Sequence, residues 1–197
     1  MFRFEHRIDA KTLISLGRLQ VDFFIHSYRK APETIILDFD DTEDQTYGSQ
    51  QLSMFNGYYG SVCYQPMHVY EGESGKLIAT ILRPGRRPTG KEIAKMIRRI
   101  VRLIKKAWTE VNIIIRGDSH YGCPEVFDIC KEYNMQFVLG LSSNSVLQKS
   151  VAGIKKQAET LFKCNPKSFK LYHEFAYQAA TWAASQRVIA KSSTRKS

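Results

Sequence analysis

Two short apolar runs, "TIILDFD" from Thr34 to Asp40 and "VNIIIRGDS" from Val111 to Ser119, constrain the fold more than any other part of the sequence. The first is β-branched and apolar and is expected as a buried central strand. The second is expected as another apolar strand. Both end in acid, the first at Asp40 or Asp38 and the second at Asp118. Asp38 and Asp40 lie two positions apart, so they project from the same face of their strand.

The segments around these runs supply a mixed α/β order. Residues 9 to 28 have Leu13, Leu16, Leu19, Phe23 and Phe24 near helical spacing after a capping Asp9, and the "APE" at 31 to 33 ends that helix. After a polar loop at 42 to 53, "GYYGSVCYQPMHVYEGESGKLIATILRPG" reads as two long strands joined by a Gly- and Ser-containing turn. Pro66 assigns the first of them an edge position or a bulge. From Thr89 to Trp108, Ile93, Ile97, Ile100, Val101 and Ile104 mark an amphipathic helix, with Thr89 and Glu92 in capping-box spacing. "PEVFDICKEYN" follows as a short helix and "MQFVLGL" as a strand. A helix over "NSVLQKSVAGIKKQAETLFK", strands near "FKLYHEFAY" and "QRVIAK", and a frayed polar end "SSTRKS" complete the chain. Three sequential antiparallel strands followed by alternating helix and strand give a mixed α/β sheet, which resembles the ribonuclease H-like arrangement.

Composition narrows the functional classes. A chain of 197 residues with 43% hydrophobic content is expected as one globular domain. No window approaches a membrane span and the start lacks a secretory core, so a soluble cytoplasmic protein is expected, with no membrane partner. Cys63, Cys123, Cys130 and Cys164 form no C-x-x-C pair, which speaks against a zinc ribbon or a disulfide framework. Trp108 and Trp182 read as core aromatics, and Tyr58, Tyr59, Tyr64 and Tyr70 as sheet packing. The net charge of +10 points to a polyanionic partner, and nearly all of the excess lies between Arg83 and Lys106, ten basic residues against the single acid Glu92. Arg86, Arg87, Lys91, Lys95, Arg98, Arg99 and Arg102 are the candidate DNA contacts, in a patch that Arg83 would extend. A solvated surface face is the alternative for such a helix.

Two carboxylates held at the ends of rigid strands can converge on a hard cation such as Mg²⁺. A single aspartate there is more often a turn residue. "ILDFDDT" also fits the D-x-D-x-T signature of haloacid dehalogenase-like phosphatases, with Asp38 as nucleophile, Asp40 as acid and base and Thr42 on phosphate. In that family the late motif carries a further acid, where this sequence has His120, Tyr121, Gly122 and Cys123.

"LDFDDTEDQTYGSQ", "FNGYYG", "YQPMHVYEGESGKLIATILRPG", "WTEVNIIIRGDSHYGCPEVFDIC", "FVLGLSSN" and "RVIAK" together resemble the DDE-type insertion-sequence transposases whose first acidic motif is D-x-D-D-T. The resemblance implies a ribonuclease H-like domain in which two aspartates and a later glutamate bind two Mg²⁺ ions, about 3.5 to 4 Å apart, that serve an in-line attack at phosphorus. DNA is the implied partner, as transposon ends and target, and homo-oligomer formation is left open. Asp40 and Asp118 match the two aspartates, with Asp38 as a further metal contact or as support and Asp41 as a turn residue. His120 is placed to contact a phosphate or the attacking water, or to make a local hydrogen bond. Arg116 is placed to pair with the acids. The resemblance sets the glutamate on a helix well beyond "RVIAK", in a segment unlike those of Glu159 and Glu174. The expectation is therefore a transposase truncated at both ends and inactive for lack of its third acid, with a leading helix over 1–30, a partial catalytic domain over 31–191 and a polar tail over 192–197. A non-catalytic DNA-binding remnant is the other reading.

Overall fold

The computed structural model describes residues 9–48, 50–164 and 169–194. In chain order the elements are α1 (Ala10–His26), β1 (Thr34–Asp41), β2 (Asp44–Gln45), β3 (Met54–Asn56), β4 (Ser61–Tyr64), β5 (Met67–Glu71), β6 (Leu77–Ile81), α2 (Gly90–Ala107), β7 (Asn112–Gly117), α3 (Pro124–Glu132), β8 (Gln136–Leu139), α4 (Ser145–Cys164), β9 (Phe169–Tyr177) and β10 (Gln186–Thr194). They divide into two compact units, Met1–Leu141 and Ser142–Ser197.

The first unit is organised by a five-stranded sheet in the order β6-β5-β1-β7-β8. β1 is antiparallel to β5, and β5 to β6, whereas β1 is parallel to β7, and β7 to β8. Three antiparallel strands followed by parallel ones reached through helices is the ribonuclease H-like topology. β1 is central, as expected, but only one of its faces is fully buried: Ile35, Leu37 and Phe39 are covered, while Ile36 and Asp38 are half-buried and Thr34 and Asp40 exposed. β5 and β7 alternate in the same way, burying Met67, Val69 and Glu71, and Ile113 and Ile115. The apolar faces of α1, α2 and α3 share one core with these side chains.

α2 is the main cover. Its capping box is complete, with Glu92 N–H donating to Thr89 Oγ1 and Thr89 N–H to Glu92 Oε2. Arg86 adds a hydrogen bond that, with the cap, holds the Glu92 carboxyl down to about 2. Ile93, Ile97, Ile100, Val101 and Ile104 are all buried, as their spacing predicts. α1 differs from its expected stripe. Val21 and Phe24 are buried, whereas Leu13, Leu16, Leu19 and Phe23 are exposed, because the helix meets the core through its C-terminal half. There Phe24, Tyr28 and Trp108 pack edge to face with centroids 5.3 to 5.7 Å apart. Trp108 is thus a core aromatic, and Trp182 is likewise buried. Tyr58 is 89% exposed and packs edge to face on Tyr59, not within a sheet.

The long first run of the expected hairpin is two strands in two sheets. β4 pairs with β2 and β3 in a small sheet, and the chain passes through Gln65 and Pro66 before β5 joins the main one. Pro66 therefore marks a change of sheet, where its missing N–H breaks no ladder. The bulge expected at Pro66 falls instead between Val69 and Tyr70 in the β5–β6 pairing.

The second unit contains α4 and an antiparallel hairpin, in which Phe169 pairs with Thr194 and Tyr177 with Gln186. β10 runs to Thr194, into the stretch expected as a frayed end, because β9 supplies partners that far. Residues 195–197 lie outside the described residues.

Ile97 is fully buried at the centre of the α2 contact. Ile97→Ala should cost about 2–5 kcal/mol in urea unfolding. A change of a few tenths would contradict this packing.

Candidate active site at the ends of two parallel strands

The pairing of β1 with β7 ends at Phe39 opposite Gly117, so Asp40 and Asp118 are the next residues on neighbouring parallel strands. Both are exposed, and neither has an ion-pair partner among the described residues. Asp118 opens a tight turn. Its Oδ1 accepts from His120 N–H at 2.8 Å and its carbonyl from Tyr121 N–H at 3.2 Å. A close approach by β8 supports the turn: a Cβ at Gly140 would lie 2.8 Å from the Ser119 nitrogen.

Asp38 shares the Asp40 face and is held by Arg116, whose Nε and Nη2 donate to its two carboxylate oxygens at 2.9 and 2.5 Å. The two side chains are 34% and 44% exposed, so this bidentate pair contributes about 1 kcal/mol at most. It accounts for the expected pairing of Arg116, and it occupies both oxygens of Asp38.

Asp41 is not a turn residue. β1 runs one position further than the sequence indicated, placing Asp41 in phase with Leu37 and Phe39 on the buried face. Its side chain is 9% exposed, forms an ion pair with Arg83 Nη2 at 2.6 Å, and accepts from His120 Nδ1 at 2.9 Å and the Tyr121 hydroxyl at 2.6 Å. Burial alone would raise the Asp41 carboxyl, but bonds from His120, Arg83 and Tyr121 outweigh it and hold the group below its ordinary range. Burial and the neighbouring carboxylate push the Tyr121 hydroxyl strongly upward, which keeps it a donor. A Cβ at Gly117 would lie 2.8 Å from the Tyr121 ring, so only glycine lets that ring fold back against β7.

Arg83 is correspondingly no part of a surface patch. It is 7% exposed, with its Nε donating to Gln65 O at 2.8 Å and its Nη2 on Asp41. The ring of His120 is turned inward, with Nδ1 on Asp41 and Nε2 buried without a hydrogen-bond partner among the described residues.

Among the candidate DNA contacts, Lys91, Lys95, Arg99 and Arg102 are exposed at helical spacing along α2, and Arg87 is exposed just before it. Arg86 is paired with Glu92 at 2.5 Å and Arg98 with Glu132 at 2.7 Å. Both pairs are solvent-exposed and so contribute little to stability. In the second unit, Glu174 is held bidentately by Arg187 at 2.8 and 2.7 Å, and Glu159 lies on α4.

Oxygen donors suit Mg²⁺, and Asp40 and Asp118 are the pair of aspartates without an ion-pair partner at this edge among the described residues. Among the described residues no group of three His, Cys, Asp or Glu side chains is placed to hold a metal.

The transposase DDE domain group 1 model matches residues 1–197, and the chain belongs to that family of transposase domains. No curated protein matches the sequence. Similar solved structures include the catalytic domain of Mos1 mariner transposase, at 11% identity over 81% of this chain and 85% of that one, with a TM-score of 0.42. They also include the HTLV-2 integrase catalytic core domain in complex with magnesium, at 15% identity over 70% and 78%, with a TM-score of 0.37. A third is piggyBac transposase in a synaptic complex with hairpin DNA, at 14% identity over 85% of this chain and 35% of that one, with a TM-score of 0.43. Family membership displaces the phosphatase alternative, whose nucleophile would have been Asp38. Among the described residues no helix is long and apolar enough to cross a membrane.

Because Asp41 is depressed when folded, its stabilising contribution is complete above the ordinary value near 3.8 and is lost as pH falls through the lower folded value. Asp41→Asn should therefore melt well below the native chain at neutral pH and converge with it on acidification, in melts from about pH 7 to 2. A difference that stays constant into acid contradicts the assignment.

Proposed function

We propose that this chain supplies two of the metal-binding acids, Asp40 and Asp118, of a Mg²⁺-dependent DNA strand-cleaving and strand-transferring site. The observation that carries the proposal is that these two carboxylates directly follow Phe39 and Gly117, the last paired residues of the parallel β1–β7 pair, and are free of ion pairs among the described residues, in a chain of the DDE family. Bound there, the metal would polarise a phosphate and activate a hydroxyl for in-line attack. The chain's part is to hold Asp40 at the end of β1 and Asp118 at the turn that follows β7, with Asp38 neutralised by Arg116 beside them. Two of the three acids that the family resemblance implies are assigned in this reading. The chain acts on DNA in the cytoplasm.

DNA lies on the exposed basic face of α2, through Arg87, Lys91, Lys95, Arg99 and Arg102, with Arg86 and Arg98 exchanging their glutamates for phosphates. Such contacts position the duplex without reading its sequence. The ring placement of His120 favours support of the Asp118 turn over a phosphate contact, although its backbone still lies beside the acids.

Mn²⁺ titration followed by electron paramagnetic resonance should show binding by the native chain that Asp40→Ala and Asp118→Ala each abolish; binding retained in both variants would refute the site. Duplex binding followed by fluorescence anisotropy should weaken linearly in log salt, and Lys95→Ala, Arg99→Ala and Arg102→Ala together should reduce the slope by about 3. An affinity indifferent to salt would remove the basic face from the account.

A further inference from the structure

Asp41 has more side-chain partners than any of the aspartates around it. They arrive from two places: Arg83 from the loop between β6 and α2, and His120 and Tyr121 from the turn that Asp118 opens. The turn's own bonds, from His120 N–H and Tyr121 N–H back to Asp118, close it locally without attaching it to β1. Beyond the last register pair, Phe39 with Gly117, the polar side-chain links from the turn to β1 converge on the Asp41 carboxylate.

A packing role alone explains this cluster poorly. It leaves His120 Nε2 and both Arg83 Nη atoms buried without hydrogen-bond partners among the described residues, Nη2 meeting Asp41 as an ion pair, a cost that an apolar strand end would avoid. The charges are also sorted. Arg83 compensates Asp41 and Arg116 compensates Asp38, which leaves Asp40 and Asp118 as the uncompensated pair at this edge.

We propose that Asp41 is a positioning residue: by accepting from His120 and Tyr121 while Arg83 neutralises it, it clamps the Asp118 turn to β1 and sets Asp118 beside Asp40. It contacts no metal itself. This inference rests on the reading of Asp40 and Asp118 as metal-binding acids, and it makes the Arg83 of "ILRPG" and the His120 and Tyr121 of "RGDSHYG" parts of one device.

The test uses the 197-residue chain and Mn²⁺ as the probe. Asp41→Asn should weaken Mn²⁺ binding at least about tenfold, the usual scale for groups that orient metal ligands. It should also speed amide exchange at His120 and Tyr121 about tenfold or more, as expected for a released turn. Tyr121→Phe, which deletes one anchor and keeps the ring, should shift both readouts the same way by less, and it carries the test if Asp41→Asn does not fold. Ile113→Ala opens a cavity in the same sheet at the far end of the β1–β7 pair, opposite Ile35; it should lower the melting temperature and leave Mn²⁺ affinity unchanged. Native Mn²⁺ affinity and native exchange in Asp41→Asn would overturn the clamp, as would an equal loss of affinity in Ile113→Ala. Failure of the underlying reading looks different, since the native chain itself would then bind no Mn²⁺.

Discussion

The two-residue alternation of β1 is the constraint on which the rest of the site depends. Leu37, Phe39 and Asp41 face the core, whereas Asp38 and Asp40 face the open side of the sheet. Three neighbouring carboxylates in one short motif thereby enter different environments. The buried one is acceptable only because Arg83, His120 and Tyr121 surround it, since an uncompensated charge there would be strongly destabilising. Of the two on the open face, one is matched by Arg116 across the parallel pair and the other is left free. A shift of register by one residue would exchange these roles and place Asp40 in the core.

The positive charge of the chain divides along the same lines. Arg83 belongs to the interior, Arg86 and Arg98 to surface pairs, and Lys91, Lys95, Arg99 and Arg102 to a solvent-facing row. One run of sequence thus both neutralises the buried acid and presents cations outward. The apolar stripe of α2, with Ile93, Ile97 and Ile104 buried, is what separates these tasks.

Much of this was legible in the amino-acid order because it depends on local periodicity. The 3.6-residue spacing from Ile93 to Ile104 gave α2 with its cap, and the apolar runs ending in Asp40 and Asp118 gave the two strands that meet. Pairing that depends on distant residues was not legible. Asp41 and Tyr121 are 80 positions apart, and nothing local distinguishes an aspartate that ends a strand from one that prolongs it. Arg83 looked like one more cation in a basic segment, since its burial is decided by the return of the chain through Gln65. The sheet change at Pro66 was hidden because β4 and β5 have strand composition on both sides of it. The exposure of the α1 stripe likewise depends on where the helix meets the sheet, and Leu13 and Phe24 look alike in sequence.

The central claim is a division of labour among carboxylates: Asp40 and Asp118 take the metal, Asp38 and Asp41 keep their arginines. Anomalous scattering from a crystal of the chain soaked in Mn²⁺ measures it most directly. The account predicts a Mn²⁺ peak bounded by the Asp40 and Asp118 carboxylates, with the Asp38–Arg116 and Asp41–Arg83 pairs intact. A peak on Asp38 or Asp41 with either pair broken would contradict it.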